Sequence, residues 1–385
     1  MVKKLIQLMP YPLYQLGGIE SHVRGVTSEF NSARNLCLGV RASLVYKDLG
    51  QSWSHIDAFN IANQDGEMED RNRRAANFQK EAANDETLRV INDADVIHVH
   101  GLERFAYLRS LREFGIRSKK VFSTHGSFWA DAKHVSGLAS YSRRAFDRVF
   151  SQRLLNYFGS IIVATEAEYD LTLSLLPSKF NKKNIYVLPL PIYSKPPEFN
   201  SETQMPSSGR LIALGRQDKI KNFELLARTI VANSELPPCD IFGPEGNSTQ
   251  ALRRILANVP ADRFRIQPPI YDPEEKGRVM RQAMAVVVTS TFESFSLVAH
   301  EAIALDTPLV ISDKAAYSVI RPAAEIFVSG SAESLKDALL RAIKYGRSRE
   351  FREARRHMWQ TYDTFSSYCQ KLLTIYENTP LVNGN

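Results

Sequence analysis

Two glutamates, Glu293 and Glu301, flank the stretch SFSLVAH in TFESFSLVAHEA at 291–302. The apolar residues Leu297, Val298, Ala302, Ile303 and Leu305 recur at helical spacing, so a helix starts near Ser294 to Ser296, with either serine as its N-cap. The backbone N–H groups of Phe295, Ser296 and Leu297 are then free to hold an anion. Glu293 lies just before the helix. Glu301 lies inside it, about 9 Å further on at about 1.5 Å per residue. Carboxylates so far apart cannot share a proton as an acid/base pair. They can hold hydroxyl groups at two ends of an elongated ligand whose anionic centre sits between them. Arg216 and Lys221, in GRQDKIKN, offer the matching cations: a guanidinium that forks onto phosphate oxygens and a compact ammonium.

These residues need a scaffold that brings loops together. Short runs rich in Val and Ile read as strands buried on both faces: 3–9, 95–100, 120–125, 160–165, 185–190, 209–215, 238–243, 285–290 and 308–313. Helical patterns lie between them, as at 18–30 and 222–234, and 351–378 is helical in pattern. Such alternation predicts α/β architecture with two Rossmann-like, doubly wound parallel-sheet domains. Pro189, Pro191, Pro196, Pro197 and Pro206 mark a linker. The expected division is an N-terminal acceptor-side domain at 1–190, a linker at 191–208 and a second domain at 209–355. A C-terminal helix at 356–385 packs back toward the first domain. Ligands of such sheets bind in loops after the strands. Arg216 and Lys221 lie at one strand-to-helix turn, and Glu293 at another.

The 385 residues exceed what one core usually fills. Hydrophobic content of 44% and charged content of 24% are those of a globular chain. The longest apolar run, AMAVVV at 283–288, is too short for a bilayer. Met1–Tyr14 begins with two lysines but is broken by Gln7 and Pro10, so it reads as a first strand and the expected location is cytoplasmic. Cys37, Cys239 and Cys369 form no CxxC pair, which excludes a zinc cluster of cysteines. A net charge of +7 suits anionic partners.

A nucleotide-sugar has the layout that the glutamates and cations require. Here the chain resembles the GT-B retaining glycosyltransferases of the large family 4 group. Their E-x7-E appears as Glu293-SFSLVAH-Glu301, and their basic pair as Arg216 and Lys221. Their Gly-Gly loop appears as Gly17-Gly18 in QLGGIESHV, and their D-x-x-x-x-H strand and His-Gly as DVIHVH and STHG. The resemblance implies two domains facing a central cleft. It implies transfer of a hexose-type sugar from a UDP- or GDP-sugar to a hydroxyl acceptor, in cell-surface glycan or glycolipid biosynthesis. Glu293 would hold the transferred sugar, Glu301 the ribose, and Arg216 and Lys221 the diphosphate. Gly17 and Gly18 would approach phosphates or acceptor closely, and His125 would lie beside sugar and acceptor. Many relatives have Gly where this chain has Ser294, Ser296 and Asp306, departures that bear on donor choice. Two alternatives stand beside the transferase: a nucleotide-sugar epimerase of the same fold, and a non-catalytic nucleotide-sugar-binding protein.

His98 and His100 alternate on one strand and face one side. They read as structural histidines, since further metal ligands are not evident. Asp93-Ala94-Asp95 precedes its strand and reads as a turn. No cofactor and no essential metal are expected. The stretches 109–120 and 140–158 set basic residues beside apolar ones. Their simplest reading is packing elements with a solvated basic side, and their other reading is peripheral contact with an anionic inner-membrane face or a lipid-linked acceptor. No nucleic-acid motif is present, so no nucleic-acid partner is expected.

Overall fold

Runs such as AVVV at 285–288 become strands because both faces are covered. In the computed structural model, Ala285–Val288 is buried at every position, as are Val96–His100 and Leu309–Ser312. The structure describes residues 2–9, 18–32, 40–47, 53–57, 85–101, 117–125, 157–173, 182–192 and 208–382. The chain forms two compact units, residues 1–191 with 363–385, and residues 192–362.

Unit 1 is built on a seven-stranded sheet. Its strands are β1 (Lys4–Met9), β2 (Arg41–Lys47), β3 (Trp53–Asp57), β4 (Val96–His100), β5 (Lys119–Ser123), β6 (Ser160–Val163) and β7 (Ile185–Val187). Their order is β3-β2-β1-β4-β5-β6-β7. The sheet is not wholly parallel: β3 runs antiparallel to β2, with Val45 opposite His55. The all-parallel expectation fails at this edge, where a strand needs only one partner and no crossover helix. Helix α1 spans Gly18–Phe30, the bounds expected from its periodicity, and buries Val23, Val26 and Phe30. Helices α2 (Asp85–Asn92) and α3 (Glu166–Leu173) complete the described helices before the crossing into unit 2.

Unit 2 holds a six-stranded sheet, all parallel: β8 (Leu211–Leu214), β9 (Cys239–Phe242), β10 (Phe264–Gln267), β11 (Ala285–Val288), β12 (Leu309–Ser312) and β13 (Glu325–Phe327). The order is β10-β9-β8-β11-β12-β13. Its helices are α4 (Phe223–Ala232), α5 (Thr249–Ile255), α6 (Pro273–Gln282), α7 (Leu297–Ala304), α8 (Ala332–Tyr345) and α9 (Arg349–Gln360). Chain order reverses between β8 and β11, so the loops that follow these two strands lie side by side at the carboxyl edge.

Helix α10 (Phe365–Asn378) returns to unit 1. Its Tyr368, Cys369, Leu372, Ile375 and Tyr376 join Val26, Phe30, Val96 and Val121 in one core cluster. The return falls after Tyr362 rather than at 355/356, because Met358 and Tyr362 pack into the core of unit 2. The helical pattern at 351–378 is likewise two helices, the second capped afresh where the Thr364 side chain accepts from Ser367 N at 3.1 Å.

Gly17, most of 191–208, and the basic stretches at 109–116 and 140–156 lie outside the described residues. Among the described residues no helix is long and apolar enough to cross a membrane.

Candidate functional site

The turn after β8 is tied down before it presents a charge. Gly215 and Gly243 both have positive φ, at 144° and 155°, and a Cβ on Gly243 would meet the Gly215 carbonyl oxygen at 2.0 Å. Buried Gln217 donates from Nε2 to the Gly243 carbonyl at 3.1 Å, and Lys219 N–H donates to Asn247 Oδ1 at 2.8 Å. The turn after β8 is thus held by the turn after β9. Arg216 stands on it with its side chain 58% exposed, its Nε 3.4 Å from Asp218 Oδ2. A short 3-10 turn at Lys219–Lys221 follows, and Asn222 closes it in the left-handed region at φ 51°. The Lys221 N–H donates to the Asp218 carbonyl at 2.9 Å, and its side chain reaches the loop after β11.

There the Lys221 ammonium lies 2.7 Å from Glu293 Oε1. The Ser290 hydroxyl donates to the same oxygen at 2.5 Å. Two further bonds lock the loops: Thr289 Oγ1 donates to the Lys221 carbonyl at 2.7 Å, and Thr291 N–H donates to the Ile220 carbonyl at 2.8 Å. The Tyr317 hydroxyl donates to the Glu293 carbonyl. Glu293 therefore has a fixed backbone and a partly buried carboxylate held beside a cation.

Helix α7 starts at Leu297, with Ser296 in the N-cap position. The serine does not cap. Its backbone is left-handed, with φ 58° and ψ 66°, and among the described residues its buried hydroxyl oxygen has no hydrogen-bond partner. An N-cap side chain reaches the next turn from extended backbone, which Ser296 does not adopt. The N–H groups expected at Phe295 and Ser296 consequently precede the helix, and those of Leu297 and Val298 open it; Ala299 N–H turns back to the Ser296 carbonyl at 2.9 Å. Phe295 is buried and stacks on His300, with centroids 4.0 Å apart and planes 7° apart. His300 Nδ1 meets the Tyr362 hydroxyl at 2.5 Å, and burial lowers the imidazole to about 3.

Glu301 sits apart from Glu293's partners. Its carboxylate is buried, with Lys276 Nζ at 2.7 Å from Oε1 and 2.6 Å from Oε2. Lys276 comes from α6, whose first turn is fixed by Pro273 and by Asp272, which accepts from Glu274 N–H at 2.7 Å. Sequence reasoning did not single out Lys276, Ser290 or Tyr317. Asp306, just past α7, also adopts positive φ, at 53°. Its carboxylate accepts from Arg352 Nε at 2.8 Å and from fully buried Arg355 Nε at 2.7 Å.

Unit 1 carries the expected His125, on the turn after β5 with φ 47°. It is not alone. His98 and His100 share one face of β4, with ring centroids 4.0 Å apart. His98 meets the Tyr376 hydroxyl through Nδ1 at 2.7 Å and Ser123 Oγ through Nε2 at 2.7 Å. His100 Nε2 meets Gln7 Oε1 at 2.5 Å, and its Nδ1 meets His125 Nε2 at 2.9 Å. His22 of α1 approaches edge-on, 5.5 Å from the His125 ring. Burial lowers His125 to about 4 and holds the other three well below the ordinary imidazole value, so the rings are neutral. Gly18 opens α1, exposed, on the segment that leads to His22. Asp93 and Asp95 lie at the opposite end of β4. Asp95 accepts from Lys3 and Lys4 N–H at 2.7 and 2.9 Å, and Asp93 pairs with the Lys4 side chain.

Residues 174–318 match the model of a family described as family 4 glycosyltransferase in conflict systems. Over 111 residues the chain is 40% identical to D-inositol 3-phosphate glycosyltransferase of Frankia alni, a match covering 28% of this chain and 26% of that protein. The chain thus spans about a quarter of the length of the curated relative it matches. Sucrose-phosphate synthase of Thermosynechococcus elongatus is similar in structure, with a TM-score of 0.67 at 16% identity over 97% of this chain and 98% of that one. The Anabaena HepE structure in complex with UDP gives 0.63 at 12% identity over 97% and 99%. TarM gives 0.58 at 16% identity over 75% of this chain and 56% of its own. The fold is GT-B. The resemblance to family 4 glycosyltransferases, first drawn from short motifs, is met by the family model over residues 174–318 and by the curated relative over 111 residues.

Proposed function

We propose that the chain is a retaining glycosyltransferase, moving a hexose-type sugar from a UDP- or GDP-sugar to a hydroxyl acceptor in cell-surface glycan or glycolipid biosynthesis. One observation carries the reading. At the switch point of unit 2, Lys221 and Glu293 meet at 2.7 Å beside the first turn of α7. Cation, carboxylate and helix N-terminus are what a diphosphate and the adjoining sugar need. The similarity to named glycosyltransferases, and the UDP in the HepE structure, support the same class of donor.

In this reading the bond between the sugar C1 and the leaving diphosphate oxygen breaks, and its electron pair goes to the diphosphate. Lys221, Arg216 and the N–H groups of Leu297 and Val298 stabilise that charge. Arg216, the most exposed of these groups, closes onto the ligand from solvent. The acceptor hydroxyl attacks C1 on the same face, and its proton passes to the departing phosphate oxygen. Glu293 holds sugar hydroxyls. Glu301, paired with Lys276, accepts from the ribose diol. Neutral His125 positions sugar or acceptor, and Gly17 and Gly18 let backbone approach the ligand. The scheme asks for no metal. Cytoplasmic placement, with peripheral contact to an anionic membrane where the acceptor is lipid-linked, fits the positive net charge.

The test is a panel of nucleotide-sugars screened by thermal shift, followed by donor hydrolysis and transfer with the best ligand. Lys221→Ala and Glu293→Gln are expected to lower kcat at least tenfold. Unchanged turnover in both variants rejects the assignment, and an epimerised sugar formed from donor alone rejects the transferase.

A further inference from the structure

His22, His100 and His125 come from three separate elements, α1, β4 and the turn after β5, and one ring nitrogen from each lies within 4.8 Å of the others. Two features of this cluster are unlike ordinary packing. His22 is fully buried, yet among the described residues its Nδ1 has no hydrogen-bond partner, while its Nε2 meets the Tyr368 hydroxyl at 3.4 Å. His125, on a partly exposed turn, is held in the left-handed region at φ 47°, a conformation kept only where surroundings impose it.

We propose that these three imidazoles form a binding site for one transition-metal dication of the Zn²⁺ class. The donor set selects the ion. Neutral imidazole suits Zn²⁺, Co²⁺, Ni²⁺ and Cu²⁺, whereas Mg²⁺, Ca²⁺ and Mn²⁺ favour oxygen. Around a tetrahedral ion with Zn–N bonds of about 2.0–2.1 Å, ligand nitrogens stand about 3.3 Å apart. The His100–His125 pair, at 2.9 Å, opens slightly, and the widest separation, within 4.8 Å, closes by side-chain rotation. The outer shell is already present. A metal-bound histidine donates its other N–H to an oxygen, and His100 Nε2 lies 2.5 Å from Gln7 Oε1, which can only accept. His22 Nε2 has Tyr368 in the same role, and its Nδ1 is left as the ligand atom. His125 Nε2 gives up its contact with His100 Nδ1, and its proton moves to its own Nδ1. His98 takes no part, since Tyr376 and Ser123 occupy both its nitrogens. Three protein ligands leave a fourth position for water or a ligand hydroxyl. The proposal shares His125 with the transfer reading, which itself needs no metal, so metal binding and turnover are read separately.

Full-length protein stripped with chelator is titrated with ZnCl2, CoCl2 and MgCl2 by calorimetry, and the Co²⁺ form is examined by visible absorption. One equivalent of Zn²⁺ or Co²⁺ is expected, with the intense visible band of four-coordinate Co²⁺, and no binding of Mg²⁺. His125→Gln, on a partly exposed turn, is expected to fold by circular dichroism and to weaken Zn²⁺ binding at least tenfold. His22→Gln is expected to do the same, and exposed His357→Gln to leave it unchanged. Absence of saturable Zn²⁺ and Co²⁺ binding to the wild-type chain overturns the proposal. So does equal affinity in folded His125→Gln.

Discussion

Lys221 Nζ and Ser290 Oγ converge on a single oxygen of Glu293, at 2.7 and 2.5 Å. The two groups assigned to phosphate and to sugar are therefore partners of each other. The pair is only partly exposed, so its coupling exceeds that of a surface ion pair. A double-mutant cycle with Lys221→Met and Glu293→Gln is expected to give a coupling of about 1–2 kcal/mol, each single change lowering the Tm of unit 2 by a few degrees. Additive shifts would mean that the contact contributes nothing to the fold.

Ser296 has a φ of 58°, a backbone conformation that glycine adopts without strain. The left-handed region costs a side-chain-bearing residue about 1–2 kcal/mol, and the unpartnered hydroxyl adds to that cost. Glycine gives back part of the gain through its freer unfolded chain. Ser296→Gly is expected to raise stability by about 1 kcal/mol, read as a higher Tm in differential scanning calorimetry. A lower Tm would show that the hydroxyl has a partner that matters.

Asp306 is a different case. Its positive φ also suits glycine, but its carboxylate is the partner of Arg355, whose side chain is completely buried. Removing one member of such a pair strands a charge, at about 3–5 kcal/mol. Asp306→Gly should therefore destabilise unit 2 strongly despite its easier backbone. Asp306→Gly with Arg355→Met should recover most of the loss. A single variant as stable as wild type, measured by urea unfolding, would contradict this.

Unit 1 should be acid-sensitive. Burial holds His125 at about 4 against an ordinary 6.5, and His22, His98 and His100 well below it. The unfolded chain binds protons at these rings below pH 6.5 that the folded chain excludes. Stability is thus fully present above pH 6.5 and lost as pH falls toward 4, by about 1.4 kcal/mol per unit for each ring. Urea midpoints followed from about pH 8 to about pH 4.5 should drop below about pH 6.5, and His125→Gln should flatten the slope. A flat profile in the wild-type chain would mean that the rings accept protons in place.

Much of the scaffold was legible because burial on both faces leaves a plain signature. The run Ala285–Val288 could be little else, and α1 was bounded correctly by its apolar spacing. Of the edge strands, β7 was legible and β3, β10 and β13 were not. In β10, Phe264–Gln267, only Phe264 is buried, and β13 is three residues long with Glu325 leading it. Strand β3 gave no parallel-type pattern because it is antiparallel. The meeting of Lys221 with Glu293 was not predicted as a contact, although both residues were singled out. It follows from strand order, which one sequence does not display. Lys276 was hidden among 49 basic residues, and only the fold places it on Glu301. Left-handed backbone at Ser296 was invisible, since serine gives no such signal.

Helix α10 has a further consequence, for synthesis. The ribosome releases β1 through β7 long before it makes Tyr368, Leu372 and Tyr376, which fill the core cluster around Val26, Phe30 and Val121. Unit 2, uninterrupted in sequence, needs nothing made after Tyr362. Unit 1 must wait for α10, with Gln7 and His98 lacking Tyr376 until then. The first half to be made is the second to be finished, so a released chain truncated after Tyr362 should present a folded unit 2 beside an incomplete, protease-sensitive unit 1.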